Sequence, residues 1–208
     1  MTSASRRAFA TAALASLLVS CGGRPAERTT TERATTPRGG TTPPPARQSA
    51  NAARALRRSA PVRLRIPAIE VDTPLIRLGL TPDGGVEVPP VTAHDRAGWY
   101  QFSPTPGQTG PSVILGHVTV GAYGDGVFRH LDRLRRGDRI EARLENGTTA
   151  VFTVGTVRTV AKAEFPADQV YGDVDRPELR LITCGGQRTG DGYLDNVIVF
   201  AALTSASP

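Results

Sequence analysis

The sequence predicts an all-β domain, a closed or nearly closed barrel of about eight strands with one or two short helices, behind a disordered N-terminal tether. Short runs rich in β-branched residues recur along residues 61–208, and turn residues separate them. An Asn-Gly pair at 146–147 stands between two such runs and predicts a tight hairpin, because both residues tolerate positive φ. Helical spacing is confined to residues 128–134, so little helix is expected. Many strands with little helix favour a barrel.

The first 21 residues have the pattern of an export signal. A basic pair, Arg6-Arg7, precedes an apolar run from Phe9 to Val19. This run is too short to cross a bilayer, which takes about 20 apolar residues. It ends in the letters LVSC, which resemble the bacterial lipobox, so Cys21 is the predicted lipidation site. An ordinary signal peptide or a short uncleaved anchor is the alternative, and the export route, Sec or twin-arginine, stays open. Each reading places the domain at the outer face of the cytoplasmic membrane.

Residues 22–60 predict a disordered tether ahead of a folded domain at 61–208. They are rich in Thr, Pro, Ala, Gly and Arg and lack an apolar period. Although the whole chain has a net charge of +6, residues 1–60 hold ten Arg and two Glu, which leaves −2 for the folded part. A mildly acidic domain with 5% aromatic residues fits neither a DNA-binding domain nor a single-strand platform. We expect no nucleic-acid partner, and a basic tether suited to anionic lipid or an acidic wall polymer.

The predicted strands follow one another along the folded part. In chain order they are residues 62–66, 70–80, 86–88, 112–117, 139–144, 148–161, 178–184 and 194–202. Pro74 interrupts the second run, and the turn Pro82–Gly85 separates it from the third. The fourth run, SVILGH, is continuously apolar, which is typical of a strand buried on both faces.

Two of these runs end in residues with catalytic potential. Cys184, the only cysteine besides Cys21, ends the run LRLITC and precedes two glycines, where the backbone can approach a ligand closely. His117 ends the run SVILGH. Each residue has a structural alternative, as a buried thiol or a buried imidazole. If the two strand ends meet, the thiol and the imidazole form a nucleophile and a proton carrier. Arg188 either supports an oxyanion from the following loop or is a solvated loop residue.

The sequence predicts no metal or organic cofactor. Two cysteines exclude a zinc site built from four of them. His94 and His130 have no partner at the spacing of a zinc ligand pair. There is also no clustered carboxylate loop that would hold calcium.

Several segments together resemble the sortases of Gram-positive bacteria, in particular the class F group of high-GC species. These segments are SVILGHV, VFRHLDRLRRGDRI, ELRLITCGG and GYLDNVIVFA, with VEVPP and AGWYQFSPTPGQTGPSVILGHV upstream. The similarity covers roughly residues 62–203. It implies the eight-stranded sortase barrel, with Cys184 as the nucleophile at the end of strand seven and His117 as the general acid/base at the end of strand four.

The same resemblance assigns to Arg188 the family's substrate-holding and oxyanion arginine. The stretch CGGQRTGDGYLDN is two residues shorter than the frequent family pattern and lacks its Phe-Asp pair. Thr119 stands where that pattern often has an acidic residue. Sortases are usually held by one N-terminal transmembrane helix, whereas here a lipid on Cys21 would take that role.

By analogy, the reaction is transpeptidation. The Cys184 thiolate would attack the Thr–Gly carbonyl of an LPXTG-like sorting signal, and His117 would protonate the departing amine. An amine of a peptidoglycan precursor or of a pilin would then resolve the thioester. The resemblance implies a monomer that needs no cofactor.

Two other functions remain open on the sequence. One is a non-catalytic β-barrel lipoprotein that binds wall peptides. The other is a different peptidoglycan-acting cysteine enzyme, an L,D-transpeptidase, but that class favours a histidine two residues before the cysteine. Here Thr183 precedes Cys184 and no histidine is near it in the sequence.

Overall fold

A computed structural model describes residues 54–190 and 192–208, which form a closed barrel of eight strands. The strands are β1 (Pro61–Ile66), β2 (Val71–Leu78), β3 (Ala97–Tyr100), β4 (Gly110–Leu115), β5 (Arg139–Leu144), β6 (Thr149–Ala161), β7 (Pro177–Thr189) and β8 (Gly192–Ser207). Their order around the barrel is β1-β2-β3-β4-β7-β8-β6-β5, and β5 pairs with β1 to close it. The predicted all-β class and eight-stranded barrel are confirmed.

Helix is scarce, as the sequence predicts. The single α-helix of the described residues is α1 (Ala167–Tyr171), which lies in the connection between β6 and β7. The helical turn predicted within residues 128–134 is a 3-10 helix at Leu131–Arg133. Leu131 and Leu134, the residue after this helix, are buried and join the core, which explains their spacing.

The pairing of β4 with β7 decides which strand ends meet. These two strands are parallel, and their register runs from Gly110 opposite Pro177 to Leu115 opposite Ile182. Because parallel strands end at the same edge of a sheet, the residues that follow Leu115 and Ile182 emerge together. β7 also pairs antiparallel with β8, so β7 lies between β4 and β8 at this edge.

The core has two parts, and successive residues of a strand contribute alternately to one part and the other. Leu179 and Leu181 of β7 belong to the main core inside the barrel, whereas Ile182 belongs to a second group on the outside. This outer cluster consists of Leu78, Val113, Leu115, Val170, Ile182 and Ile198. Val170 of α1 covers it, so β4 is buried on both faces, which accounts for its continuously apolar sequence.

One predicted strand, one missing strand and three strand ends were wrong. Residues 86–88 form only an isolated bridge, between Leu80 and Val86, while β3 was not predicted at all. β4 ends at Leu115, so His117 lies two residues beyond the strand. β7 and β8 extend past the predicted ends, and Cys184 therefore lies within β7, where the two strands form a long hairpin.

The last residues of the predicted tether pack against the barrel. The Leu56 N–H donates to the Gly107 carbonyl at 2.8 Å, and its side chain contacts the main core. The Glu145 N–H donates to the Ala60 carbonyl at 2.9 Å. The Arg58 guanidinium lies 5.8 Å from the centre of the Trp99 ring. The packed chain therefore begins before the predicted boundary at Pro61, because backbone hydrogen bonds and one leucine hold a segment that lacks an apolar period.

The signal peptide predicted at residues 1–21, with Cys21, and most of the predicted tether lie outside the described residues. Within the part of the chain that the structure describes, no helix has the length and apolar character needed to span a membrane.

Candidate active site

Cys184 and His117 meet where β4 ends beside β7. The parallel register reaches Leu115 opposite Ile182, and the Gly116 N–H continues it by donating to the Ile182 carbonyl at 3.1 Å. The next residues in step are His117 and Cys184. Neighbouring strands lie about 4.8 Å apart, so the imidazole and the thiol start from adjacent backbone positions. Two residues 67 apart in the sequence are thus brought together.

Both side chains lie on the outer face of the barrel. Side chains alternate between faces along a strand, and Ile182 and Leu115 belong to the outer cluster. Cys184 follows Ile182 by two residues, and His117 follows Leu115 by two residues, so both share that face. Cys184 is a free, partly exposed thiol, and His117 is also partly exposed. A substrate can therefore reach both groups from outside the barrel.

The two glycines after Cys184 are needed for the hairpin to close. A Cβ on Gly185 would lie 2.6 Å from the Val197 Cγ2 atom. Gly186 has φ +71°, and a Cβ there would lie within 3 Å of the Asp195 side chain. Larger residues would push β8 away from β7 beside the thiol.

The His117 ring is held from the connection between β2 and β3. Its Nε2 atom lies 2.6 Å from the carbonyl oxygen of Pro89. Pro89 is buried, while its neighbours Val88 and Pro90 are exposed. Among the described residues, no hydrogen bond joins His117 to Cys184.

The connection that carries Pro89 is anchored at both ends. The Gly79 N–H donates to the Glu87 carboxylate at 2.7 Å, just before Pro89. The Thr73 hydroxyl donates to the Asp95 carbonyl at 2.7 Å, on the other side. The His94 ring also stacks on the Tyr123 ring, with centroids 4.3 Å apart and planes 3° from parallel. These contacts keep the Pro89 carbonyl against His117.

The register of β7 and β8 places Arg188 on the strand face opposite to Cys184. Arg188 pairs with Tyr193, and Cys184 pairs with Asn196. The register shifts between Gly185 and Arg188, so β7 has one residue more than β8 there. Tyr193 and Asn196 are three residues apart on β8 and therefore face opposite sides. The exposed Arg188 shares the face of its partner Tyr193, and the residue pattern does not reveal this shift.

An apolar cleft lies upstream of the site on the same outer face. It has a volume of about 610 Å³. Val113 of β4 lines the cleft and lies four residues before His117 in the chain. The rings of Tyr100, Phe102, Phe165 and Tyr171 form much of its wall. Burial, with a smaller effect of Tyr100, raises the pKa of Tyr171.

Sequence reasoning missed Pro89, Asn196 and these aromatic residues. Pro89 was only part of the segment VEVPP, and Asn196 only part of the segment GYLDNVIVFA. Recognition of Asn196 would have required the register of the last hairpin. His94, considered above as a metal ligand, stacks on Tyr123, and His130 precedes the 3-10 helix at Leu131–Arg133. Over residues 54–190 and 192–208, no group of three or more His, Cys, Asp or Glu residues is arranged to hold a metal ion.

Comparison with known proteins gives a family. The model of the Sortase domain family matches residues 64–204. Among curated proteins, none matches the chain significantly.

Solved structures of sortases share this fold. Sortase C-1 from Actinomyces oris superposes with a TM-score of 0.53 at 22% identity, covering 68% of this chain and 72% of that one. Sortase A from Corynebacterium diphtheriae gives 0.55 at 19% identity, with 73% and 64% covered. The SrtA sortase from Actinomyces oris gives 0.54 at 23% identity, with 77% and 89% covered. At these identities the likeness is one of fold.

Proposed function

The chain belongs to the sortase family, and from this premise we propose that it is a class F cysteine transpeptidase acting on an LPXTG-like sorting signal. The observation that carries the proposal is the juxtaposition of Cys184 and His117 on the outer face, where β4 ends beside β7. A thiolate is the reactive form of cysteine, and a neighbouring imidazole can take up or return the proton.

In the first half of the reaction, the Cys184 sulfur attacks the Thr–Gly carbonyl carbon and forms a C–S bond. The carbonyl electrons move onto oxygen, and the tetrahedral intermediate collapses when the C–N bond breaks. His117 gives its proton to the departing glycine amine. The product is a thioester between Cys184 and the threonine.

In the second half, an amine of a peptidoglycan precursor or of a pilin attacks the thioester carbon. A new C–N bond forms, the C–S bond breaks, and the sulfur leaves as a thiolate. His117 takes the proton that the attacking amine loses, which restores the starting state. Neither half requires a metal or an organic cofactor.

The apolar cleft is the proposed location of the apolar part of the sorting signal. Its aromatic wall, with Tyr100, Phe102 and Tyr171, would bury Leu and Pro side chains. The cleft runs along β4 toward His117, so an extended peptide bound there would present its following residues to Cys184. Val113 precedes His117 by four residues, which is about 13 Å of extended strand.

Arg188 is supported as a substrate-holding residue by its place on the hairpin, four residues after Cys184. Its side chain is exposed, and its backbone position is on the strand face opposite to Cys184. Contact with a part of the substrate that extends past the hairpin is compatible with this position. We expect Arg188→Ala to weaken substrate binding more than it slows the chemical step.

We also propose that the chain acts at the outer face of the cytoplasmic membrane, anchored by a lipid on Cys21. Residues 56–59 lie against Thr105 and Gly107, which precede β4, whereas the site follows β4. The chain therefore enters the barrel about 20 Å from the site, at the other end of a six-residue strand. Radioactive fatty acid should label the wild-type protein in cells and not Cys21→Ser.

Mass spectrometry of the intact protein tests the main proposal. The purified chain is mixed with a small library of LPXTG-like peptides, and a thioester adduct on Cys184 is expected for some of them. Cys184→Ala should give no adduct or cleavage and should keep its circular dichroism spectrum, since a small residue replaces a partly exposed one. Equal cleavage by Cys184→Ala would contradict the proposal. Peptide binding without any adduct would favour the non-catalytic wall-binding protein.

A further inference from the structure

The proposed reaction needs a hydrogen-bond donor that the predicted arginine does not supply in this structure. When the sulfur attacks, negative charge develops on the carbonyl oxygen, and a fixed donor beside that oxygen lowers the barrier. Arg188 lies on the strand face opposite to Cys184. A donor on the outer face therefore has to be a backbone N–H group or another side chain.

Asn196 is the direct cross-strand partner of Cys184. The pair lies in an uninterrupted antiparallel register that continues through Ile182 opposite Ile198. Both isoleucines belong to the outer cluster, so Cys184 and Asn196 share the outer face with them. Directly opposite residues of an antiparallel pair have Cβ atoms about 4.5–5.5 Å apart. A short side chain at position 196 can thus reach a carbonyl bonded to the sulfur.

Asn196 is also equipped and free to donate. Its side-chain amide carries two N–H donors. The side chain is partly exposed, and within the described part of the chain it makes no hydrogen bond. Of the neighbouring β8 residues, Leu194 shares this face but has no donor, and Asp195 faces the other side. Asn196 is therefore the polar side chain of β8 best placed beside the thiol.

We propose that Asn196 is a further catalytic residue, whose side-chain N–H donates to the carbonyl oxygen of the sorting signal while Cys184 attacks it. The inference rests on the proposed function. As the C–S bond forms, the oxygen gains the carbonyl electron pair and the hydrogen bond strengthens. When the C–N bond breaks, the carbonyl re-forms and the bond weakens. Asn196 transfers no proton, so it needs no change of charge.

The test compares two reactions of Cys184, only one of which forms an oxyanion. Acylation by p-nitrophenyl acetate forms a tetrahedral intermediate, and alkylation by iodoacetamide does not. Asn196→Ala should slow acylation by about 10²–10³-fold, the usual loss for one oxyanion donor. Alkylation should stay within about twofold of wild type, since the thiol itself is unchanged. Rates measured in Cys184→Ala give the background in each case.

Two further variants sharpen this comparison. Asn196→Asp keeps the shape but replaces the donor by an acceptor with negative charge, so its acylation should be at least as slow. Leu194→Ala, the matched control on the same face, should acylate at nearly the wild-type rate. With a peptide substrate, Asn196→Ala should lower kcat with little change in KM, because the contact forms only as charge develops.

Wild-type acylation rates in Asn196→Ala would overturn the inference. So would a parallel loss of alkylation and acylation, because that would indicate a disturbed thiol rather than a lost donor. Since p-nitrophenyl acetate contains no sorting signal, this result is independent of the peptide library. A normal effect of Asn196 with no peptide adduct would instead refute the proposed substrate and leave the role of Asn196 intact.

Discussion

The Nε2 atom of His117 lies 2.6 Å from the carbonyl oxygen of Pro89. A carbonyl can only accept a hydrogen bond, so Nε2 must carry the hydrogen in both the neutral and the charged ring. Nδ1 is then the nitrogen that takes up and releases the proton. Because the same contact serves both charge states, the ring keeps its orientation through the proposed reaction.

We predict that Pro90→Gly weakens this control of the ring. Glycine frees the backbone next to the Pro89 carbonyl, so the ring should populate both neutral tautomers, whereas wild type should show only the Nε2–H form. Acylation should slow by roughly tenfold, since misplacing a catalytic group by ~1 Å can cost about 10²-fold. Two-dimensional NMR of protein labelled with ¹⁵N-histidine reports the tautomer directly.

Pro82→Gly is the matched control, because Pro82 lies in the turn of the same connection, where the Gly84 N–H donates to the Thr81 carbonyl. It should leave both the tautomer and the rate unchanged. An Nδ1–H form in the wild-type protein would contradict the assignment.

We predict that Gly126→Ala displaces His117 itself. A Cβ at position 126 would lie 2.2 Å from the His117 carbonyl oxygen, and backbone cannot yield as a flexible side chain can. Acylation should fall by at least tenfold, and the free energy of unfolding by about 1–3 kcal/mol. Single-turnover kinetics and urea denaturation measure the two effects.

Gly155→Ala is the control for this substitution, since its Cβ would meet only the Phe200 carbonyl, at 3.5 Å. It should change neither quantity appreciably. If Gly126→Ala kept full activity, the backbone at His117 would have to be more yielding than the structure indicates.

The sequence allowed Cys184 and His117 to be selected, because each ends an apolar run. Their proximity was not predictable from spacing, since it depends on a parallel pairing between strands that are distant in the chain. The face of Arg188 depends on a one-residue shift in the hairpin, which leaves no mark in the residue pattern.

Two errors in the strands have local causes. β3 contains Gly98, which usually weakens a strand, but a Cβ there would lie 2.4 Å from the Leu78 side chain, so only glycine lets β2 and β3 approach. Residues 86–88 alternate like a strand, yet Glu87 binds the Gly79 N–H and the following prolines have no N–H to donate. The alternation of residues 86–88 is real, but their hydrogen bonds go to Gly79 and not to a neighbouring strand of the barrel.

We predict that the buried ion pair of β7 makes the barrel sensitive to acid. The Arg180 and Glu178 side chains are 4% and 9% exposed and lie 2.5 Å apart. Burial raises the pKa of Glu178, but hydrogen bonds from Arg180 and Arg176 outweigh it, so the net pKa is lowered. Because the pKa of Glu178 is lower in the folded state, the ion pair stabilises the barrel fully above the pKa of the unfolded state, about 4.3. This stability is lost as the pH falls through the pKa of the folded state.

Glu178→Gln should therefore flatten the pH dependence of unfolding below about pH 4.3. It should also cost about 3–5 kcal/mol at pH 7, because Arg180 is left buried without its partner charge. Glu145→Gln is the control, since its pair with Arg77 is 53% and 60% exposed and should contribute no more than about 1 kcal/mol. Urea denaturation between pH 3 and pH 7 distinguishes the two, and similar losses in both variants would show that burial does not set the strength of the pair.

We predict that the segment before β1 contributes to the stability of the barrel. Leu56 packs on the main core beside Gly107, and its N–H donates to the Gly107 carbonyl at 2.8 Å. Leu56→Ala should lower the free energy of unfolding by about 1–2 kcal/mol, as expected for a partly buried leucine. Arg57→Ala, at an exposed position of the same segment, should have little effect.

A chain that begins at Pro61 should lose more stability than Leu56→Ala, because the hydrogen bond from the Glu145 N–H to the Ala60 carbonyl is also removed. Equal denaturation midpoints for chains that begin at Arg54 and at Pro61 would show that the barrel folds without this segment, as a tether ending at residue 60 requires.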